Sequence, residues 1–231
     1  NLTSITQSVN QNSGFSITKY TGSGTTGYFP HNLGAKPDFV IVKRITTSAG
    51  DWICWHKDLN SGNAGAGDYI CLNGNAEKGQ TSDGSNSADN FFASGITSTR
   101  IDIGGGFGAV NTSGEDYICY AFKPVEGVSA FGSHSGQISS VSGTTVGANG
   151  YCGFKPRFVM VKCISDNAGW NTWDSFRDPD TDDFLVANSD AVENTSNPSG
   201  LDVQMLANGF TTGTGEGVGG GSRDYISIAF A

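Results

Sequence analysis

Ala35-Lys36-Pro37-Asp38-Phe39-Val40-Ile41-Val42-Lys43 is the stretch on which the fold turns. It returns 119 positions later as Phe154-Lys155-Pro156-Arg157-Phe158-Val159-Met160-Val161-Lys162. A Lys-Pro pair opens each copy, an apolar run follows, and a lysine closes it. Proline fixes φ and cannot donate to a ladder, so it belongs at a strand's first residue. The run is apolar at nearly every position. That suits a central strand covered on both faces rather than an amphipathic helix.

Downstream landmarks repeat in the same order. Trp52 and Trp55 match Trp170 and Trp173. Asp68-Tyr69-Ile70 matches Asp183-Phe184-Leu185, and Asn73 matches Asn188. Ala93-Ser94-Gly95-Ile96-Thr97 matches Ala207-Asn208-Gly209-Phe210-Thr211. Asp116-Tyr117-Ile118 with Ala121-Phe122 matches Asp224-Tyr225-Ile226 with Ala229-Phe230. Such a series, with gaps only in loops, predicts an internal duplication. Each unit would be of common domain size. The expected organisation is an extended connector over 1–13, a first repeat over 14–125 and a second over 126–231. Leu2, Ile5 and Val9 would also suit a short coiled-coil neck, but the Ser/Thr/Asn background argues for extended chain. The connector is expected to follow an upstream module.

Composition supports an all-β class. Glycine is 34 of 231 residues, about twice the usual share, which favours many turns. The 14 Phe, 7 Tyr and 4 Trp are enough to build cores, so the chain is not a disordered one. No segment holds a helical period beyond one turn. Phe15-Ser16-Ile17-Thr18-Lys19-Tyr20 alternates as a strand with one wet face should. The fold expected is two tandem β-sandwich domains of jelly-roll or lectin-like form.

The formal net charge is −9, and the cations are scattered singly. Nucleic acid is thereby disfavoured as a partner, since no basic stripe replaces phosphate counterions. Anionic membrane surfaces are disfavoured too, and no apolar run approaches a membrane span. The five cysteines are Cys54, Cys71, Cys119, Cys152 and Cys163. None forms a CxxC pair, and each lies in or beside a strand-like stretch. Reduced cysteine acting as a small hydrophobe is the expectation, with one disulfide in the first repeat as the alternative.

Catalytic chemistry is sparse. His31, His56 and His134 are the only histidines. None stands in a nucleophile motif, and each reads as a surface or strand-edge residue. The stretch Gly213 to Gly221 lacks the following helix of a phosphate cradle, and reads as a loose hairpin tip. No carboxylate pair is placed for glycoside hydrolysis. The expectation is a chain that is not an enzyme and holds no cofactor. Calcium is a secondary candidate at Asp178, Asp180 and Asp182, because alternating carboxylates offer hard oxygen ligands. Glycan binding has weak candidates in Trp52, Trp55, Trp170 and Trp173. Tryptophans at i and i+3 face opposite sides of a strand, so one of each pair is core and the other a stacking platform.

The landmarks together resemble a module of tailed-bacteriophage structural proteins, marine and cyanobacterial phages above all. The pattern is Tyr20-Thr21-Gly22, a Lys-Pro-x-Phe-Val strand entry, a Trp-x-x-Trp strand, Asn208-Gly209-Phe210 and a closing Tyr-Ile-x-x-Ala-Phe strand. Ser94-Gly95-Ile96 stands where the first copy should carry Asn-Gly-Phe. The resemblance implies a virion protein: a segment of a tail fibre or similar appendage involved in host attachment. It implies partners among other virion proteins and copies of itself, with a trimer as the form fibres take. A host-surface glycan would then be the external ligand, with loops 60–67, 77–89 and 190–200 as receptor contacts. A capsid decoration protein and a free carbohydrate-binding module are the alternative readings.

Overall fold

The structure is a computed structural model. It describes residues 2–46, 50–59, 68–80, 95–136, 140–141, 144–145, 149–179, 183–195 and 200–231. The chain divides into two compact units, Asn1–Leu72 with Lys78–Val125, and Asn73–Glu77 with Glu126–Ala231. Both are all-β and antiparallel, apart from one four-residue helix.

The first unit holds β1 (Thr3–Asn10), β2 (Phe15–Thr21), β3 (Gly27–Pro30), β4 (Phe39–Arg44), β5 (Trp52–His56), β6 (Asp68–Cys71), β7 (Gly79–Gln80), β8 (Arg100–Ile103), α1 (Gly108–Asn111) and β9 (Asp116–Phe122). Its main sheet runs β1-β2-β9-β4-β5-β6-β7, and β3 pairs with β8 in a small second sheet. β4 follows Pro37 and lies between β5 and β9, as a run with apolar residues on both faces should. Val40 and Val42 are buried with Trp55, Tyr117, Cys119 and Ala121 on one face. Phe29, Ile101 and Ile103 of the small sheet close that core, which gives two packed layers. Tyr20 stacks between Phe29 and Tyr117 at 4.6 and 5.2 Å.

One expectation for this unit is corrected. Residues 3–10 are extended as expected, not a helical neck, but they are built into the first unit rather than standing apart as a connector. They form β1, the edge partner of β2. Leu2 is buried, and Ile5 and Val9 pack on the same core. Their apolar groups find a core only from an extended backbone, which the ladder to β2 also satisfies. The alternation expected of β2 is present, and the structure decides which face is buried. Its buried face carries Ser16, Thr18 and Tyr20, while Phe15 and Ile17 are half-buried on the other side. On that face Gln7 Nε2 donates to Thr18 Oγ1 and Pro30 O, each at 2.8 Å, which satisfies the buried threonine hydroxyl.

The second unit holds β10 (Ser129–Ser135), β11 (Ser140–Val141), β12 (Thr144–Thr145), β13 (Asn149–Tyr151), β14 (Phe158–Cys163), β15 (Trp170–Asp174), β16 (Leu185–Val186), β17 (Val203–Leu206), β18 (Gly209–Thr212) and β19 (Asp224–Phe230). Its main sheet runs β10-β19-β14-β15-β16, a second one β13-β18-β17, and β11 pairs with β12. Val159, Val161, Trp173, Phe184, Phe210, Val218 and Tyr225 share its core.

The order β10-β19-β14-β15-β16 corresponds strand for strand to β2-β9-β4-β5-β6. Registers agree as well. Phe39 opposes Phe122 and His56, and Phe158 opposes Phe230 and Asp174. A segment expected in the first repeat, Asn73–Glu77, packs instead with the second unit. Asn75 O accepts from Ala168 N at 2.8 Å, and Asn167 Oδ1 accepts from Glu77 N at 3.1 Å.

Candidate functional site

The tryptophans split between the two faces of their strands as their spacing requires. Trp55 and Trp173 point into their cores. Their partners Trp52 and Trp170 lie on the opposite face, each across from the lysine that closes the neighbouring strand. Trp55, Trp170 and Trp173 are all buried. As platforms for a sugar these three are ruled out, because no ring face reaches solvent. Only Trp52 is half-buried, with Lys43 Nζ 5.8 Å from its ring and Tyr120 stacked at 6.4 Å.

The two lysines differ sharply. Lys43 Nζ donates to Gly50 O at a half-buried position. Lys162 is 0 % exposed and donates to Ala168 O at 2.8 Å and Asn75 O at 3.2 Å. Burial pushes its pKa down to about 8, with Cys163, Asp166 and Glu77 opposing.

The histidines are not surface residues. His31 is buried, accepts Leu33 N at Nδ1 and meets Thr97 O through Nε2 at 3.0 Å. His56 is buried and accepts Asp58 N at Nδ1. His134 takes the position that Tyr20 holds in the first unit. Tyr20 opposes Tyr117 and donates its hydroxyl to Val110 O. His134 opposes Tyr225, stacks on it at 5.1 Å and bonds Val218 O through Nε2 at 2.7 Å. Burial lowers the pKa of His31 and His134. These are imidazoles built into the fold.

The stretch Gly213 to Gly221 is a packed turn, not a loose tip. Gly215 O accepts the N–H groups of Val218, Gly219 and Gly220 at 2.9–3.1 Å. A Cβ at Gly220 would strike Thr214 O, so only glycine allows that approach. Asp116 and Asp224 hold equivalent turns, accepting Thr21 Oγ1 at 2.7 Å and Ser135 Oγ at 2.8 Å. All five cysteines are free thiols.

Of the calcium candidates, Asp180 and Asp182 lie outside the described residues, and Asp178 Oδ2 accepts Asp183 N at 2.9 Å. Among the described residues no group of three His, Cys, Asp or Glu side chains converges. Loop 60–67 lies outside the described residues, as do 81–89 of the second loop and 196–199 of the third.

One solvent-facing feature stands out. The turn that leaves β15 meets the turn that enters β14, and a groove of about 410 Å³ opens between them. Lys155, Pro156, Arg157, Ser175 and Phe176 line it. Backbone bonds hold both walls: Arg157 N to Phe230 O at 2.8 Å, and Ser175 N to Arg157 O at 2.9 Å. Asp174 Oδ1 accepts from Phe176 N and Arg177 N, at 2.8 and 3.2 Å, and fixes the turn. Phe176 is 90 % exposed on it.

The first unit builds the same turn with other side chains. Asp38 N bonds Phe122 O at 2.8 Å, Lys57 N bonds Asp38 O at 2.9 Å, and Asp58 N bonds the side chain of His56. Here Lys57 pairs with Asp58 at 3.0 Å, and Lys36 lies 5.6 Å over the Trp55 ring. Burial raises the pKa of Asp38, with Lys57 opposing. The two lysines and two aspartates balance. Across these positions the second unit carries Lys155, Arg157, Ser175 and Phe176, a surplus of positive charge. The change of Asp38 to Arg157 is legible in the duplicated stretch. The changes of Lys57 to Ser175 and Asp58 to Phe176 lie just beyond the Trp-x-x-Trp landmark, where sequence matching ends.

A family model described as a domain of unknown function (DUF7483) matches residues 1–231. The chain belongs to that family. The match spans both units, so the pair of units, rather than one of them, is what the DUF7483 model describes. No curated protein and no solved structure matches the chain.

Proposed function

We propose that the chain is a non-enzymatic structural component of a bacteriophage particle. In this reading it is a segment of a tail fibre or similar appendage that contributes to host-surface attachment. The sequence landmarks that resemble phage structural modules support it. The observation that carries it is the reuse of one backbone, register included, beneath side chains that differ at the turns. An appendage needs that combination: a rigid antiparallel scaffold and ends free to vary. We read the two units as copies of one ancestral sandwich. The buried histidines and the thiols raised by burial supply no activated nucleophile, which supports a non-enzymatic role. Self-association, as a trimer in the manner of fibres, belongs to the same proposal.

Immunogold labelling of purified particles with antibodies against the recombinant chain is the test. Label on the tail is the expected result. Label on the head shell would favour capsid decoration, and particles without label would overturn the virion reading. Turnover of a polysaccharide by the chain would overturn the non-enzymatic part.

A further inference from the structure

The groove between Lys155–Arg157 and Ser175–Phe176 is a binding site for a carboxylated saccharide, we propose. The inference deepens the attachment reading and rests on it. Its argument is the internal comparison of two equivalent turns. The first unit neutralises its turn, with Lys57 on Asp58, Lys36 over Trp55 and Asp38 half-buried among them. The second unit uses the same backbone bonds and replaces Asp38 and Asp58 by Arg157 and Phe176, while Asp174, in the place of His56, turns its Oδ1 to the N–H groups of Phe176 and Arg177. Among the described residues neither Lys155 nor Arg157 pairs with an acid, and Arg177 nearby is held by Glu193. In a chain of net charge −9, two cations that make no ion pair among the described residues, set in a concave site, point to an anionic ligand.

Phe176 narrows the class. An exposed phenylalanine on a turn fixed by two hydrogen bonds is a rigid apolar plate. Water does not favour it there, and the fold gains no core from it. Beside a guanidinium, an ammonium and the hydroxyl-bearing Ser175, it matches a ligand with an apolar face, an acid group and hydroxyls. A uronic-type sugar has all three. Its C–H face stacks on the ring, its carboxylate meets the planar fork of Arg157, and Lys155 adds a point charge. A bare inorganic anion would leave Phe176 unused. A nucleic acid would need a longer basic track than two residues. The groove is within the size range of small-ligand sites, and matches a short saccharide segment rather than a protein.

Isothermal titration of the whole chain with trigalacturonate tests this, with maltotriose as the neutral control and inorganic phosphate as the bare-anion control. Saturable binding of trigalacturonate alone, weakened by added salt, is expected. Arg157→Asp and Phe176→Asp should each weaken it at least about tenfold, which is ~1.4 kcal/mol. Both place in the second unit the residue that the first unit already carries at that turn, so unchanged thermal unfolding should accompany the loss. Binding that survives both substitutions, equal binding of maltotriose, full competition by phosphate, or no binding of trigalacturonate would each overturn the proposal. Immunogold label on the tail with no saccharide binding would remove the groove and leave the attachment reading. Saccharide binding by a chain absent from particles would do the reverse.

Discussion

Replacing Lys162 by methionine should uncouple the stability of the second unit from alkaline pH. Lys162 is 0 % exposed, and its ammonium is held by two backbone carbonyls rather than by a carboxylate within hydrogen-bond reach. Burial brings its pKa from the ordinary 10.5 to about 8. Between those values the unfolded chain binds a proton that the folded chain has released. Stability therefore rises with pH across that window. A gap of ~2.5 pH units at ~1.36 kcal/mol each amounts to about 3 kcal/mol. Wild type should gain that much over Lys162→Met on going from about pH 7 to above pH 10. At neutral pH the two should lie close together. The variant avoids burying a charge, but it leaves the Ala168 and Asn75 carbonyls without their donor, at ~1–3 kcal/mol each. Denaturant unfolding followed by tryptophan fluorescence is the assay, since Trp170 faces Lys162 across the strand pair. The ¹³Cε shift of Lys162 gives the pKa directly. Parallel pH dependence in the two proteins, or a midpoint at the ordinary lysine value, would refute the reasoning.

Other outcomes follow from the same structure. Burial raises the pKa of Cys54 and Cys119, and pushes Cys71 and Cys152 up to about 11. A thiol reagent at mildly alkaline pH should react slowly with these four in the native chain, and with all five free thiols once denatured. Fast native labelling of Cys54 or Cys119 would contradict the fold. Gly220→Ala should destabilise the second unit by ~1–3 kcal/mol, because its Cβ would meet backbone rather than a yielding side chain. An unchanged melting temperature would show that the turn relaxes. His134 has its pKa lowered by burial, so its share of stability is full above about pH 6.5 and declines as pH falls through the folded value. His134→Tyr installs the residue of the equivalent first-unit position and should lessen acid sensitivity. Equal acid unfolding midpoints for the two proteins would argue against that role.

The repeated Lys-Pro-x-Phe-Val-x-Val-Lys stretch carries a strong local signal. Proline at a strand entry and an apolar run behind it identify a central strand without knowledge of its neighbours. Both copies are central strands, between β5 and β9 and between β15 and β19. The Trp-x-x-Trp spacing likewise assigns opposite faces from strand geometry alone. Burial of the outward tryptophan is a different kind of fact. Trp52 is half-buried and Trp170 fully buried on equivalent strands, because burial depends on what distant chain lies over a strand. The ammonium of Lys162 meets Asn75, a residue 87 positions away, and no local pattern encodes that.

The same distinction separates the remaining readings. Leu2, Ile5 and Val9 announce an apolar stripe, but helix and strand are told apart only by the partner strand β2. Thr18 is a polar residue on the buried face of β2, and only the tertiary structure shows that Gln7 of the neighbouring strand supplies its hydrogen bond. His134 has no sequence likeness to Tyr20, yet the ladder to Tyr225 places it in the equivalent slot. The groove depends on two turns brought together by the pairing of β14 with β15. Sequence alone determined the β class, the central strands and that the two tryptophans of each pair take opposite faces, because these follow from periodicity and backbone stereochemistry within a few residues. Only the tertiary structure decided which polar groups are satisfied inside, which aromatic ring meets solvent, and where positive charge is left unbalanced. Those properties are sums over neighbours that the chain brings together from far apart.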